Sequence, residues 1–460
     1  MFREHPEYIA KRRDLEMYRD LYVGGELLKQ KAEQYLVRRQ REPQAVYNER
    51  LERTFYENYA GSIIDWYAAT LFRREPQITL QGGSNTENAF YIDLLNNCDR
   101  NGADLSEFFR QQMTNAMVFG SSFTLIDFPR PSTPPRTRAD EVEQKLDRGY
   151  LQALTPLDII DWTYNDVGQL EWIVIRRTRL VRERLSDLEW RKETRFAQYD
   201  REHYAIYRQT EQSDGAVKTE LVAEGKHGFA RIKQVPVIET QVGDGLWMMR
   251  KVASLQLEHF NKSNALSWAL TMGLYAMPVI YSDRDFKQLL GESYYIQLGP
   301  EDRFGWTEPE GRVYEVAANN LTRLQQEIYR ICFLTHQGGP VAGNGPGQSG
   351  LSKRRDYAIT EQVLQALGDK AKESIRNVLN GLRLARNDEI QIDVAGLDEF
   401  DFGEFEEELE QGRQLLELGI ASPTLREQVF KKLALKYLCD IHPQLKNQIC
   451  REIEEGVRCE

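Results

Sequence analysis

The chain has 460 residues, of which 28% are charged, with a mean hydropathy of −0.59 and a formal net charge of −11. This length predicts about two to four domains with ample cores, and the composition predicts a soluble protein. The net negative charge argues against general binding of nucleic acid through a basic face, although a protein can enclose DNA without binding it tightly. The five cysteines form no C-x-x-C pair, which favours a reducing compartment and argues against a zinc site.

The negative charge is concentrated near the C-terminus. Residues Asp388 to Glu460 contain 18 acids and 8 bases, a net charge of −10. The most apolar stretch, at 265–281, is short for a membrane span and contains Pro278, so we expect no membrane contact. The first twenty residues are charged and lack an apolar centre, so we expect no signal peptide.

The first third of the chain is predicted to be mainly helical. From Tyr47 to Phe72, apolar residues recur at helical spacing and predict a helix that Pro76 ends. One or two further helices are predicted from Glu87 to Phe119. The apolar positions of the first stripe are Leu51, Phe55, Tyr59, Ile63, Trp66 and Leu71.

Strands are predicted in the middle of the chain. Residues Val118–Pro131 have the pattern of a buried strand, and the Pro-rich segment at 129–138 then predicts an exposed loop. Strand signals dominate from Leu151 to Thr240, where Asp214 and Gly215 indicate the turn of a hairpin. We therefore expect an antiparallel sheet in this region.

Three long helices are predicted after the strands. The first runs from Leu246 to about Tyr275, the second from Asn319 to about His336, and the third from Leu351 to about Arg386. Short strands are predicted between the first two helices, including one at 313–317. One face of the third helix is predicted to be apolar; its residues are Ile359, Val363, Leu367, Ala371, Ile375, Val378 and Leu382.

The segment 338–350, between the second and third helices, contains six glycines and two prolines. Its Gly345-to-Gly350 spacing formally matches a nucleotide-binding glycine motif. A phosphate loop, however, needs Lys directly after the last glycine, and here Leu351 and Ser352 follow. A dinucleotide site needs flanking strands, and helical patterns stand there instead. The favoured interpretation is a mobile loop that has no charged side chain to bind a phosphate.

Catalytic and metal-binding constellations are not recognisable in the sequence. Paired acids such as Asp398 and Asp401 are better explained as a solvated acidic surface. We therefore expect no enzymatic activity, no cofactor and no metal. The alternative hypothesis is a nucleotide-binding, DNA-processing enzyme that uses the Gly345–Gly350 loop.

Several segments, taken in order, resemble the portal proteins of tailed bacteriophages, which are the head-to-tail connectors. The resemblance covers about Tyr47 to Phe430 and rests on order and spacing, since no single motif is diagnostic. The segments are "YNERLERTFYENYAGSIIDWYAATLFRREP", "VFGSSFTLIDFPRP", "YLQALTPLDIIDW", "VPVIETQVGDGLWMMRKVASLQLEHFNKSNALSWALTMGLYAMPVIYSD" and, after the glycine-rich loop, "LGIASPTLREQVF".

The resemblance implies an α+β, mainly helical portal fold. Its parts are an N-terminal arm and wing at 1–245, a first stem helix at 246–277, a clip at 278–318, a second stem helix at 319–337, a tunnel loop at 338–350, a long wing helix and return strand at 351–400, and an acidic crown at 401–460.

The family also implies a function and a set of partners. Portal proteins form rings, usually of about twelve subunits, at one capsid vertex, and double-stranded DNA is packaged and ejected through the ring without sequence preference. The implied partners are further copies of the chain, the terminase large subunit, a neck or adaptor protein and the major capsid protein. The implied location is the virion, with the host cytoplasm during assembly.

The resemblance assigns residues to three roles. Val341, Asn344 and Gln348 of the tunnel loop are expected nearest to the DNA. The clip residues Arg303, Phe304 and Trp306 are expected to dock the packaging motor. The acids expected to line the crown and let DNA pass by repulsion are Glu404, Glu406, Glu407 and Glu408.

The two stem helices are also expected to carry apolar residues that one subunit cannot bury alone. Contacts between neighbouring subunits in a closed ring would bury them. These residues are Trp247, Val252, Leu255 and Trp268 on the first helix, and Leu324, Ile328 and Ile331 on the second.

Overall fold

A computed structural model divides the chain into two compact units, Met1–Asn344 with Gln362–Glu399, and Gly345–Glu361 with Phe400–Glu460. The structure describes residues 2–129, 148–182, 190–211, 217–273, 277–281, 300–301, 303–307, 311–334, 350–398, 400, 405–418, 420, 422–437, 445, 448–449, 452–453 and 456.

Helices dominate the start of the first unit. Ser84 and Glu87 form a capping box at one helix start, and Asp104 caps another by accepting from the Glu107 N–H at 2.7 Å. The elements are α1 (Pro6–Val23), α2 (Gly25–Gln30), α3 (Ala32–Tyr35), α4 (Gln44–Glu52), α5 (Tyr59–Leu71), β1 (Gln77–Gln81), α6 (Asn85–Asn96) and α7 (Leu105–Phe119).

Gly120 ends α7 with a φ of 88°, a left-handed conformation in which glycine is favoured. A Cβ atom at this position would lie 2.9 Å from the ring of Trp247. The Trp247 indole also donates to the Val118 carbonyl at 2.9 Å. The end of α7 is therefore fixed against the start of the next long helix.

Two antiparallel sheets follow. Three strands pair in the order β3–β2–β9, and five pair in sequence order from β4 to β8. The strands are β2 (Ser121–Asp127), β3 (Tyr150–Leu154), β4 (Ile159–Tyr164), β5 (Leu170–Val181), β6 (Arg191–Tyr199), β7 (His203–Glu211), β8 (Val217–Lys226) and β9 (Val237–Gln241).

The two sheets enclose one apolar core, and α1 covers a second. Leu125 and Val237 of the smaller sheet pack with Ile173 and Ile175 of the larger one. On the opposite face of the larger sheet, Phe2 stacks on Phe196 with ring centroids 4.1 Å apart. Since alternate strand residues point to opposite faces, the larger sheet is buried on both faces around Ile173, Val174 and Ile175 of β5.

The remaining elements of the first unit are three long helices and three short strands. β10 pairs with β11, and β12 pairs with β1, both antiparallel. The elements are α8 (Met248–Gly273), β10 (Met277–Tyr281), β11 (Arg303–Thr307), α9 (Gly311–Ile331), α10 (Gly350–Arg386) and β12 (Gln391–Ala395). The first turns of α10, through Glu361, belong to the second unit.

The second unit contains two further helices, α11 (Phe405–Glu417) and α12 (Pro423–Tyr437). They pack closely, because a Cβ atom at Gly412 would lie 3.0 Å from Leu433. The Ser422 hydroxyl accepts from the Leu425 N–H, and Pro423 is the first residue of α12. Ser422 therefore caps the start of α12.

The structure confirms the predicted mixture of helix and antiparallel sheet. The helices predicted near 246–275 and 351–386 are present, and β7 and β8 pair on either side of the predicted hairpin turn. On α10 the predicted residues from Leu367 to Leu382 are buried. Ile359, in contrast, is 53% exposed, so the buried stripe begins later than predicted.

Two predictions of secondary structure are wrong. The stripe from Tyr47 to Phe72 is divided between α4 and α5, because the Asn58 side chain caps a new helix by accepting from the Gly61 N–H at 2.8 Å. Residues 313–317 are helical and not a strand. Their short alternation is compatible with either structure, and the apolar positions continue at helical spacing through Leu324 and Ile328.

Arg50→Met is expected to destabilise the first unit strongly. The Arg50 and Glu42 side chains are only 5% and 2% exposed and lie 2.7 Å apart, so removing Arg50 leaves a buried, uncompensated carboxylate. We expect a loss of about 3–5 kcal/mol in the free energy of unfolding, measured with urea. The double variant Glu42→Leu/Arg50→Met should recover much of the loss.

The matched control is Lys11→Met, which removes an ion pair whose side chains are 66% and 60% exposed. Its effect should stay within about 1 kcal/mol. An equal effect of Arg50→Met and Lys11→Met would show that the buried pair does not stabilise the fold.

Candidate functional site: the helix pair and its hairpin

The structure describes only part of the residues that the sequence assigned to a site. Val341, Asn344, Gln348 and Glu404 lie outside the described residues. Glu406, Glu407 and Glu408 belong to α11. The structure therefore leaves the assignments to the tunnel loop and the crown as predictions.

The residues predicted to dock the packaging motor lie on one strand. Arg303, Phe304 and Trp306 belong to β11, opposite Tyr281, Ile280 and Pro278 of β10. Arg303 and Tyr281 are both exposed. This two-stranded hairpin lies between α8 and α9 in the chain.

Helices α8 and α9 pack as an antiparallel pair. Lys262 donates to the Asn320 side chain at 3.0 Å, and the Tyr314 hydroxyl donates to the Ala269 carbonyl at 3.4 Å. Residue numbers rise on one helix as they fall on the other, which fixes the antiparallel direction. At 1.5 Å per residue, α8 is about 39 Å long and α9 about 32 Å.

The pair already buries several residues that were expected to need a second subunit. Val252, Leu324 and Ile328 are buried within the chain, while the other four, Trp247, Leu255, Trp268 and Ile331, are half-buried. The expectation that all of them await a neighbour is therefore wrong, because α5 and α9 cover this part of α8.

A different set of apolar residues is exposed on the pair. Val313 and Val316 of α9 are 66% and 63% exposed, and Leu270 of α8 is 43% exposed. These three residues lie in the halves of the helices nearest the β10–β11 hairpin. This part of the pair has apolar surface that the described chain leaves uncovered.

Three amide side chains attach α8 to the end of α3, the start of α5 and the segments beside them. Gln256 accepts from the Ala60 N–H at 3.1 Å and donates to the Glu57 carbonyl at 2.8 Å. Asn264 makes the same two kinds of bond with Phe55, at 3.1 and 3.0 Å. Each amide thus satisfies backbone groups that have no partner in a helix or strand.

Asn261 is the third of these amides. It accepts from the Val37 N–H at 2.8 Å and donates to the Tyr35 carbonyl at 3.1 Å. None of the sequence patterns predicted the role of the three amides. The available signal was asparagine in the middle of a helix, where its intrinsic propensity is poor.

A groove of about 410 Å³ lies between α8, α9 and the segment from Phe55 to Tyr59. His259 lines it and is 2% exposed, with its Nε2 atom 3.4 Å from the Glu57 carboxylate and its ring in a T-shaped contact with the Tyr59 ring. Its Nδ1 atom is buried without a hydrogen-bond partner. Burial lowers the pKa of His259, while the Glu57 carboxylate raises it less.

The charges along α9 alternate in sign. Arg312 and Arg323 are exposed, but Glu315 lies between them and Glu327 is paired with Arg330 at 2.5 Å. This pattern gives no continuous basic stripe for phosphates. Within the described residues there is no cluster of His, Cys, Asp and Glu suited to a metal ion, and no helix long and apolar enough to cross a membrane.

Comparison with known proteins gives partial matches among solved structures alone. No family model matches the chain, and no curated protein does. A chain from the neck of an empty gene transfer agent (GTA) particle, computed with C6 symmetry, is 14% identical, with a TM-score of 0.41; the match covers 79% of this chain and 87% of that one.

Two further structures match to a similar degree. A chain from the virion of a native gene transfer agent particle is 12% identical, with a TM-score of 0.40, over 89% of this chain and 95% of that one. A chain from the neck of a native GTA particle, computed with C12 symmetry, is 14% identical, with a TM-score of 0.40, over 80% and 89%.

Asn264→Leu is expected to destabilise the first unit, because it leaves both backbone groups of Phe55 without their partner. The two hydrogen bonds are partly buried and contribute about 0.5–1.5 kcal/mol each, so we expect a loss of about 1–3 kcal/mol in urea unfolding. Ser254→Leu, an exposed position on the same helix, is the control and should change stability by about 0.5 kcal/mol or less. Equal stability of the two variants would contradict the role assigned to Asn264.

His259 is expected to make the fold sensitive to mild acid. Since its pKa is lowered in the folded chain, the unfolded chain binds the proton first as the pH falls. The stability that neutral His259 supports is therefore full above the unfolded pKa of about 6.5 and declines below it. Urea midpoints between pH 5 and 8, compared with those of His259→Gln, measure this decline. Parallel pH profiles for the two proteins would contradict it.

Proposed function

We propose that the chain is a subunit of a portal-like ring at one capsid vertex, through which double-stranded DNA is packaged and ejected. The family resemblance of the ordered segments from Tyr47 to Phe430 supports the proposal. The proposed role is structural, and the DNA passes without being chemically changed.

The observation that carries the proposal is the order of elements after the sheets. A long helix, a short hairpin and a second long helix lead through the glycine-rich segment 338–350 into a third long helix. In the portal interpretation these are the two stem helices with the clip between them, the tunnel loop and the wing helix. With α9 starting at Gly311, the second stem helix would begin eight residues before its predicted start at Asn319.

The exposed apolar surface of the helix pair supports assembly into a ring. Val313, Val316 and Leu270 are exposed in the described part of one copy of the chain, and burial of such side chains favours association. A heterologous contact repeated around an axis closes into a ring when the rotation between neighbours fits a whole number of copies.

The composition of the tunnel loop and of the crown supports passage of DNA without tight binding. The segment 338–350 has no charged residue, so Val341, Asn344 and Gln348 would contact DNA sterically. The segment 401–410 contains six acids and no base, Glu404, Glu406, Glu407 and Glu408 among them. Like charges repel the phosphates of a passing duplex.

The hairpin of β10 and β11 is the proposed docking point for other proteins. Arg303, Phe304 and Trp306 would contact the terminase large subunit during packaging and a neck or adaptor protein afterwards, and the wing would contact the major capsid protein. Arginine and large aromatic residues are enriched where protein interfaces gain most of their binding energy. Translocation energy would come from the terminase, since the chain itself is proposed to be no enzyme.

The ring is directly testable with the purified protein. Negative-stain images should show closed rings with a central hole, and light scattering should give about twelve times the subunit mass of 53.6 kDa. Val313→Glu/Val316→Glu should shift the mass toward smaller species, whereas Val167→Glu, at an 81% exposed turn position, should not. A stable wild-type monomer at micromolar concentration would overturn the proposal.

An ATPase assay separates the ring from the alternative enzyme. The pure ring should hydrolyse no ATP, because the loop lacks the lysine that a phosphate loop needs after Gly350. Steady hydrolysis that Gly350→Val abolishes would favour a nucleotide-binding enzyme that uses Gly345–Gly350.

A further inference from the structure

The five-stranded sheet extends beyond the three-stranded sheet that covers it. Arg177 marks the edge, because its guanidinium donates to the Gln152 side chain at 2.7 Å and to the Ala153 carbonyl at 3.0 Å, both on β3. Past Arg177 the strands continue to Val181 on β5, and the residues from 177 to 180 are exposed. We call this part of β5–β8 the sheet extension.

One face of the sheet extension is basic. Cross-strand register places Arg177, Arg195, Arg208 and Glu220 in one row, and Arg179, Glu193, Thr210 and Lys218 in the next. Arg191 follows on the same face, opposite Val181. Among the described residues this face has six bases and two acids, a net charge of +4, in a chain whose net charge is −11.

The first row places like charges side by side. Arg177, Arg195 and Arg208 are direct neighbours on three adjacent strands, an arrangement that destabilises a sheet when nothing compensates it. Glu193 compensates part of the charge by pairing with Arg195 at 2.7 Å and with Arg179 at 2.8 Å. Its burial raises its pKa, but the two arginine hydrogen bonds outweigh burial and hold it below the usual range.

Glu220 compensates a further part of the charge. It pairs with Arg208 at 2.9 Å and with Lys218 at 2.5 Å. Each of the two carboxylates thus forms ion pairs with two basic side chains. The excess of positive charge therefore remains on the surface of the extension.

The opposite face of the extension is nearly neutral. The cross-strand row that follows the Arg177 row by one residue points to this opposite face and consists of Thr178, Thr194, Gln209 and Thr219. Thr178 and Thr194 contact each other through their hydroxyls at 3.2 Å. The positive charge is therefore specific to one face and does not reflect a general excess of exposed arginine.

The size of the basic face matches a short stretch of duplex. Four strands spaced by about 4.8 Å, and four residue steps of about 3.4 Å, give a nearly square face with sides of about 14 Å. Over that length a duplex carries about eight phosphate charges, of which about half face one side. About four phosphates would thus meet the net charge of +4.

We propose that the basic face of the sheet extension binds the phosphate backbone of double-stranded DNA. The face offers its charged groups in a flat array across four paired strands. Duplex DNA fits such an array better than an acidic peptide does, because it needs only charge and hydrogen-bond donors. Binding would be independent of sequence. The proposal stands on the sheet alone and does not require the ring.

The test is the binding of a fluorescein-labelled duplex of about 20 base pairs, followed by anisotropy, to the full chain at 50 and 200 mM NaCl. With about four phosphates neutralised, wild-type affinity should fall by about 150-fold between these salt concentrations. The variant Arg191→Gln/Arg208→Gln/Lys218→Gln keeps the Glu193 pairs intact and leaves Glu220, whose side chain is 38% exposed, without its bases. Its affinity should fall by only about 4-fold over the same range and be weaker at 50 mM.

The matched control is Lys11→Gln/Arg12→Gln/Arg53→Gln, which removes the same charge from exposed positions on α1 and at the end of α4. It should bind duplex like the wild type, and thermal melting should show all three proteins folded. Failure of the wild type to bind at 50 mM NaCl, or equal loss in both triple variants, would overturn the proposal. Binding of polyglutamate without binding of duplex would also overturn it and assign the face to an acidic protein.

Discussion

Buried backbone polar groups must find hydrogen-bond partners, and this requirement shapes the centre of the first unit. Tyr35 ends α3, Phe55 precedes α5 and Ala60 lies in the first turn of α5, so backbone groups of these residues have no partner within a helix. Gln256, Asn261 and Asn264 of α8 supply the missing partners. The same helix packs against α1, α5, α7 and α9, so it connects the N-terminal helices to the antiparallel pair.

Hydrophobic period predicted most of the long elements, because each has many turns or strand positions over which to repeat. Predictions from the spacing of apolar residues were wrong where a segment was short or where a polar side chain capped the start of a new helix. Residues 313–317 alternate like a strand yet extend a helix. Asn58 interrupts a continuous apolar stripe, since its side chain can cap a helix. Neither outcome follows from local apolar spacing.

The sequence predicted the candidate site less well than it predicted the fold. Net charge is a sum over the whole chain, and it concealed the basic face of the sheet extension. Arg177, Arg195 and Arg208 are separated by 13 to 18 residues in sequence, and only the strand register makes them neighbours. The amides of α8 bind segments about 200 residues away, as Asn264 does with Phe55. Such pairings depend on how elements pack, which no local pattern specifies.

The hydrogen bonds from the amide side chains of α8 also couple the separation of this helix to the opening of the segment from Phe55 to Ala60. The N–H groups of Phe55 and Ala60 lie at the edges of irregular chain, where exchange with solvent deuterium is normally fast. Here each is held by a side chain of α8, Asn264 and Gln256 respectively. Their exchange therefore reports the separation of α8 from the N-terminal helices. Two amide protons that make no hydrogen bond within a helix would thus follow the slow cooperative opening of the whole helical core.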